Sequence, residues 1–180
     1  MRFSILFTTA LMISTASVPD ACASPEQAKA LQAVNRDVWE PFVRGVAAFD
    51  DATYLAVRSR EFVMVQQAKP HFLDHDFYAE DSVNVMRQLK DAGTKLALEV
   101  RFEERMTDGK YSSERGLVRT TMTEAGKEPR SFHSRFHSIS RLEGGHWRVL
   151  TEYRSAAGKD AATAFASAHP MGDVDAAMKE

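Results

Sequence analysis

Leu96-Ala97-Leu98-Glu99-Val100-Arg101-Phe102-Glu103 sets a bulky apolar side chain at every second position, with a small or charged one between. That period marks a strand with one face in a core and the other in water. Thr107-Asp108-Gly109-Lys110 follows, and Asp-Gly between two such runs predicts a hairpin. In the next run, Tyr111–Glu124, Gly116, Val118, Thr120 and Met122 share one face while Arg115 and Arg119 share the other. Ala125-Gly126-Lys127-Glu128-Pro129 is a turn. From about Arg130 to Leu142, Phe132, Ser134, Phe136 and Ser138 alternate with His133, Arg135, His137 and Arg141. After Glu143-Gly144-Gly145, Trp147, Val149, Thr151 and Tyr153 alternate with Arg148, Leu150, Glu152 and Arg154. The short connections make Lys95–Arg154 an antiparallel meander, dry on one side and charged on the other.

The chain ahead of this sheet supplies helices to cover its dry face. Ser24-Pro25-Glu26-Gln27 opens the first, with Ser24 as N-cap and proline at the first position. Leu31, Val34, Val38, Phe42, Val46 and Phe49 form its apolar stripe, and Pro41 inside the run kinks or divides it. Asp50-Asp51 starts a short second helix whose Tyr54, Leu55 and Val57 face the core. Glu61–Gln67 reads as a short strand ended by Pro70. Asp74 or Asp76 caps a third helix running to about Lys90, with Phe77, Val83, Val85, Met86 and Leu89 apolar and Gly93 as its stop.

Residues 1–23 read as a secretory signal peptide: Arg2, an apolar run from Phe3 to about Ile13, then Ala21-Cys22-Ala23 as a small-x-small cleavage pattern. Cleavage after Ala23 sends the protein to the periplasm or outside the cell. The competing reading, a lipid anchor on Cys22, fits poorly with Pro19-Asp20 before it. The remaining 180 − 23 = 157 residues make one domain, 24–158, followed by a weakly helical tail, 159–180, that caps the pocket mouth or stays mobile. That mature chain holds no cysteine, which removes disulfides and thiol catalysis. A formal net charge of −2 with interspersed signs argues against a nucleic-acid partner, and nothing in the mature chain reads as a membrane span.

The order helix, helix, strand, helix and four strands, together with particular residues, resembles the NTF2-like superfamily, which includes ketosteroid isomerases and the SnoaL-like cyclases, and within it the DUF4440-type branch. The residues that carry the resemblance are Trp39-x-Pro41-Phe42, Asp50-Asp51 with Tyr54, Val100 to Arg105, Ser113-Glu114-Arg115-Gly116, Arg135-Phe136 and Gly145 to Leu150. The resemblance spans roughly Glu26–Arg154. It implies an α+β cone with helices packed on the concave face of a curved antiparallel sheet, and a ligand site at the open end. It also implies a homodimer through the charged sheet face, as in many members of the superfamily.

Glu104 continues the phase of Phe102, and Glu114 that of Gly116, so both are expected on the enclosed face. An enclosed carboxylate is either a general acid or base with a raised pKa, or one bonded to an amide or an arginine; the second is commoner. Ketosteroid isomerases place their carboxylate base on an early strand, and here Phe62-Val63-Met64-Val65-Gln66 offers none after Glu61. His133 with His137 on a strand face, and His71 with His75 four apart, have chelating spacing but lack companion ligands; no metal site and no cofactor is expected. Trp39, Tyr54, Phe102, Phe136, Trp147 and Tyr153 are core or pocket lining, and in a cone some must line the mouth. The function expected is an exported module that binds a small apolar or aromatic molecule without turnover. The alternative is an acid–base enzyme, a cyclase, isomerase or dehydratase, working through Glu114 or Glu104.

Overall fold

The computed structural model describes residues 24–67 and 69–178. The stretch read as a signal peptide, 1–23, and with it the rival reading of a lipid anchor at Cys22, lies outside them. The chain begins with helix α1, Pro25–Val34, closed at its start by a capping box between Ser24 and Gln27. Asn35–Trp39 is a π-helical turn, and α2 follows at Glu40–Ala48. Pro41 divides the helix as its missing N–H requires, and the Glu40 amide reaches back to Asn35 O across the wider turn. The widened turn buries both Asn35 and Trp39.

Helix α3, Asp51–Ala56, is capped by the Asp50 carboxylate, which accepts from Thr53 N. It leads into β1, Arg58–Gln66, and β2, Lys69–Asp74. β2 was not foreseen, since Pro70 reads as a breaker. It lies at the edge of the sheet, where a proline needs no ladder partner. Asp74 caps α4, His75–Asp91. That cap sets the helix phase so that Tyr78 and Met86 are buried, while Phe77 and Val85 are exposed, contrary to expectation.

The long strands are β3 at Lys95–Thr107, β4 at Tyr111–Thr123, β5 at Arg130–Glu143 and β6 at His146–Ala156. They form the expected antiparallel meander, and β1 joins β6 in parallel. At the β3–β4 turn Gly109 has φ +85°, and the Asp108 carboxylate accepts from the amides of Lys110 and Tyr111. With β7, His169–Pro170, on β3, the sheet order is β2-β1-β6-β5-β4-β3-β7. One apolar core of α1, α2, α3 and α4 fills the concave side.

Two bulges break the alternation. In β3, Phe102 pairs with Gly116 and Glu104 with Arg115, so Glu103 is the extra residue. In β6, Val149 pairs with Ser140 and Thr151 with Ile139, so Leu150 is the extra residue. Because side chains alternate with period two, each insertion reverses the facing of everything that follows. Beyond the first, Arg105 and Thr107 turn inward; beyond the second, Glu152 and Arg154 do.

The C-terminal stretch neither caps a mouth nor stays loose. Helix α5, Ala161–Ser167, lies on the outer sheet face, where Phe165 packs on Leu117 and between the guanidinium groups of Arg101 and Arg119. The chain crosses the β3 edge through β7, and α6, Val174–Ala177, buries Val174 and Ala177 in the main core. Among the described residues no helix is long and apolar enough to cross a membrane.

Candidate functional site

The π turn, the β3 bulge and β4 meet at a buried ion pair. Arg105, 2 % exposed, donates from Nε to Glu114 Oε1 at 2.7 Å, and Glu114 is 0 % exposed. Trp39 Nε1 donates to the other oxygen at 2.9 Å, and Asn35 Oδ1 accepts from Arg105 Nη2 at 2.7 Å. Nη2 also donates to the Leu31 carbonyl and Nη1 to the Met171 carbonyl, and the Phe102 ring centre lies 4.0 Å from the cation. Every polar side-chain atom of the two ions has a partner, and both residues are buried.

An open space lies elsewhere, between α4 and the concave sheet. It is a cavity of about 250 Å³ whose walls include Phe42, Val46, Met64, Met86, Leu96 and Leu98, with Tyr54, Tyr78, Gln66, Asp81, Ser82, Thr120 and Arg154 as its polar members. This is below the ~300–1,000 Å³ common for drug-sized ligands, so it suits a compact molecule. Its inner end is a second charged cluster. Arg58 donates to Tyr54 O at 2.5 Å and to the Tyr78 hydroxyl at 2.7 Å, with its guanidinium 4.2 Å and 4.6 Å from the Tyr54 and Tyr78 ring centres. The two tyrosine hydroxyls hydrogen-bond each other. Arg154 is ion-paired with the buried Glu152, yet a quarter of its side chain stays accessible because it faces the cavity. Burial pushes the Tyr78 hydroxyl well above the ordinary phenol range, so it stays protonated. Burial also works against both arginine cations, but Tyr54, Tyr78 and Glu152 around them outweigh it and leave their pKa values raised.

Gly45 of α2 sets the position of Tyr54. A Cβ there would sit 2.8 Å from Tyr54 N, so only glycine lets α3 approach this closely.

No protein-family model matches the sequence, and no curated protein matches it. Solved structures do match. A conserved protein from Planctomyces limnophilus has a TM-score of 0.60 at 16 % identity, over 71 % of this chain and 96 % of that one. An NTF2-like protein with a cystatin-like fold from Novosphingobium aromaticivorans has 0.58 at 15 %, over 76 % and 89 %. This chain has the NTF2-like fold. A ketosteroid isomerase-like protein from Erwinia carotovora atroseptica shares it, with a TM-score of 0.54 at 16 % identity over 74 % and 98 %. At such identities the likeness is one of fold, and chemistry must come from the site.

Within the NTF2-like cone the expected site residues separate. Tyr54 lines the cavity. Trp39, Phe102 and Phe136 do not; their rings pack on one another at 4.8–5.8 Å around the Arg105–Glu114 pair. Trp147 is buried in the core, its backbone N–H donating to Asp37. Tyr153 corrects the expected facing: the Leu150 bulge turns it to the outer face, 43 % exposed. Glu104 is corrected in the same way. The Glu103 bulge carries it outward, where it pairs with Arg115, so it is not an enclosed carboxylate. Glu114 does point inward, but it lies outside the cavity lining, bonded on both oxygens.

His133 packs against Phe165, His137 bonds Ser113 and His75 bonds Asp76, while the His71 side chain is outside the described residues. Among the described residues no group of three or more His, Cys, Asp or Glu side chains comes together to hold a metal ion.

Sequence reasoning missed Arg58, Tyr78, Glu152 and Arg154. Tyr78 had a signal: Tyr78, Ser82, Met86 and Leu89 recur at helical spacing and all meet the cavity, but the tyrosine and serine read as polar. Arg154 had none before the bulge at Leu150 was known.

Proposed function

We propose that the protein is an exported binding module that holds a compact, largely apolar or aromatic molecule in the NTF2-like cavity and does not turn it over. The single observation that carries this reading is the 250 Å³ cavity itself, apolar on its walls and open to solvent beside α4. The carboxylates support binding over acid–base chemistry. Glu114 and Glu152 are each held by an arginine, and β1, the early strand, presents Met64 and Gln66 to the cavity and no carboxylate. Self-pairing of two copies belongs to the same proposal and uses the part of the outer sheet face that α5 leaves open.

Native mass spectrometry of the protein isolated from its own host tests the reading. A bound species of small organic mass, released on denaturation, is the expected result. An unliganded mass alone, with no shift of the Met64 and Met86 methyl resonances on adding compact apolar molecules, contradicts it.

A further inference from the structure

The donors at the inner end of the cavity outnumber their acceptors. Tyr54 and Tyr78 carry one hydroxyl proton each. Arg58 Nη2 already donates to the Tyr78 oxygen. If Tyr78 donates to Tyr54, the Tyr54 proton is left over. If Tyr54 donates instead, Tyr78 accepts twice and its own proton is left over. Either way two protons serve one contact, and one O–H remains free where both side chains line the cavity. Beside it, Arg154 Nε is buried without a hydrogen-bond acceptor, while Nη2 is ion-paired with Glu152 Oε1.

The charges are also unequal. Arg58 and Arg154 bring two cations to this end, and Glu152 is the one carboxylate buried with them. The carboxylate on the lining, Asp81, is half-exposed on α4, where water screens it. A surplus cation and a spare hydroxyl proton in a water-poor recess call for a group that only accepts and carries negative charge. A primary amide fits less well, because its own N–H groups would face these donors.

We propose that the cavity binds a monocarboxylate, its carboxylate on Arg154 and the spare tyrosine hydroxyl, its apolar or aromatic body against Val46, Met64, Met86 and Leu98. This rests on the binding reading above and narrows its ligand class. Calorimetry with 3-phenylpropanoate and its isosteric amide, 3-phenylpropanamide, at neutral pH tests it, with the Met64 and Met86 methyl resonances locating the probe. The acid binds at least about tenfold more tightly than the amide, as a charge-assisted hydrogen bond requires. The single replacement Arg154→Met removes the surplus cation and leaves Glu152 beside Arg58, one charge of each sign, so no lone buried charge unfolds the protein. It abolishes the preference while the amide still binds. Equal affinity for acid and amide in the unaltered protein overturns the carboxylate inference and leaves the binding reading standing. A preference that persists in the Arg154→Met protein overturns the role of Arg154. Absence of binding by either probe overturns both readings.

Discussion

Replacing Arg105 with methionine lowers the unfolding free energy by about 3–5 kcal/mol, because it strands the Glu114 carboxylate in the core with a single donor, Trp39 Nε1. Equilibrium urea denaturation of the two proteins measures this. The size of the loss comes from the lone charge rather than from any large net value of the pair, since both ions give up their hydration on folding. The double replacement Arg105→Met with Glu114→Met therefore destabilises less than Arg105→Met alone. It does not restore full stability, because Trp39 Nε1 and Asn35 Oδ1 lose their partners, at about 1–3 kcal/mol each. If the double replacement is the worse of the two, the two side chains do not depend on each other as the geometry says.

Gly116→Ala has the other large effect, about 3 kcal/mol, at the upper end for overpacking. A Cβ at this position would lie 2.0 Å from the Arg101 carbonyl oxygen and 3.0 Å from Phe102 Cα. These are backbone atoms of the neighbouring strand, with no flexible end to move away. The strands can separate only by giving up the β3–β4 ladder next to the bulge at Glu103. Gly172→Ala is the matching control: nothing lies within 4 Å of a Cβ there, and the change falls within about 0.5 kcal/mol. The same urea titrations read both. A Gly116→Ala protein as stable as its parent would mean that the strands do not approach this closely.

Gly116 also marks how far the sequence could be read. Period-two alternation placed all four long strands, and the Pro41 break, the Asp50 cap and the Asp-Gly turn placed most of what surrounds them. Alternation assumes an unbroken count, however, and two inserted residues break it. Up to Phe102 in β3 and Val149 in β6 the facing of each side chain follows from its position; beyond them it is reversed. Glu104 and Tyr153 were misplaced for that reason alone, and Arg105 and Arg154 were overlooked for the same one. A glycine inside a strand is a known companion of a bulge, so Gly116 held a legible signal opposite Glu103. Leu150 carried a fainter one, a second apolar residue directly after Val149. The cavity was harder to foresee, because its inner end is assembled from single residues of α3, β1, α4 and β6 that share no local pattern.

The two bulges divide the interior by task. The first delivers Arg105 to Glu114 and ties α1, the π turn and the C-terminal stretch to the sheet through Leu31, Asn35, Trp39 and Met171. The second delivers Arg154 to the cavity lining and buries Glu152 beside it. One charged cluster closes an end of the molecule; the other furnishes the cavity.

The reversal of facing at β3 is tested most directly by thiol labelling of Glu103→Cys and Glu104→Cys, each in a Cys22→Ser background. In a regular strand these consecutive residues would face opposite sides of the sheet. With Glu103 as the inserted residue both face outward, so both cysteines react with a soluble disulfide reagent in the folded protein, with no need for unfolding. A Glu103→Cys protein that labels freely beside a Glu104→Cys protein that labels only at the rate of global unfolding would contradict it.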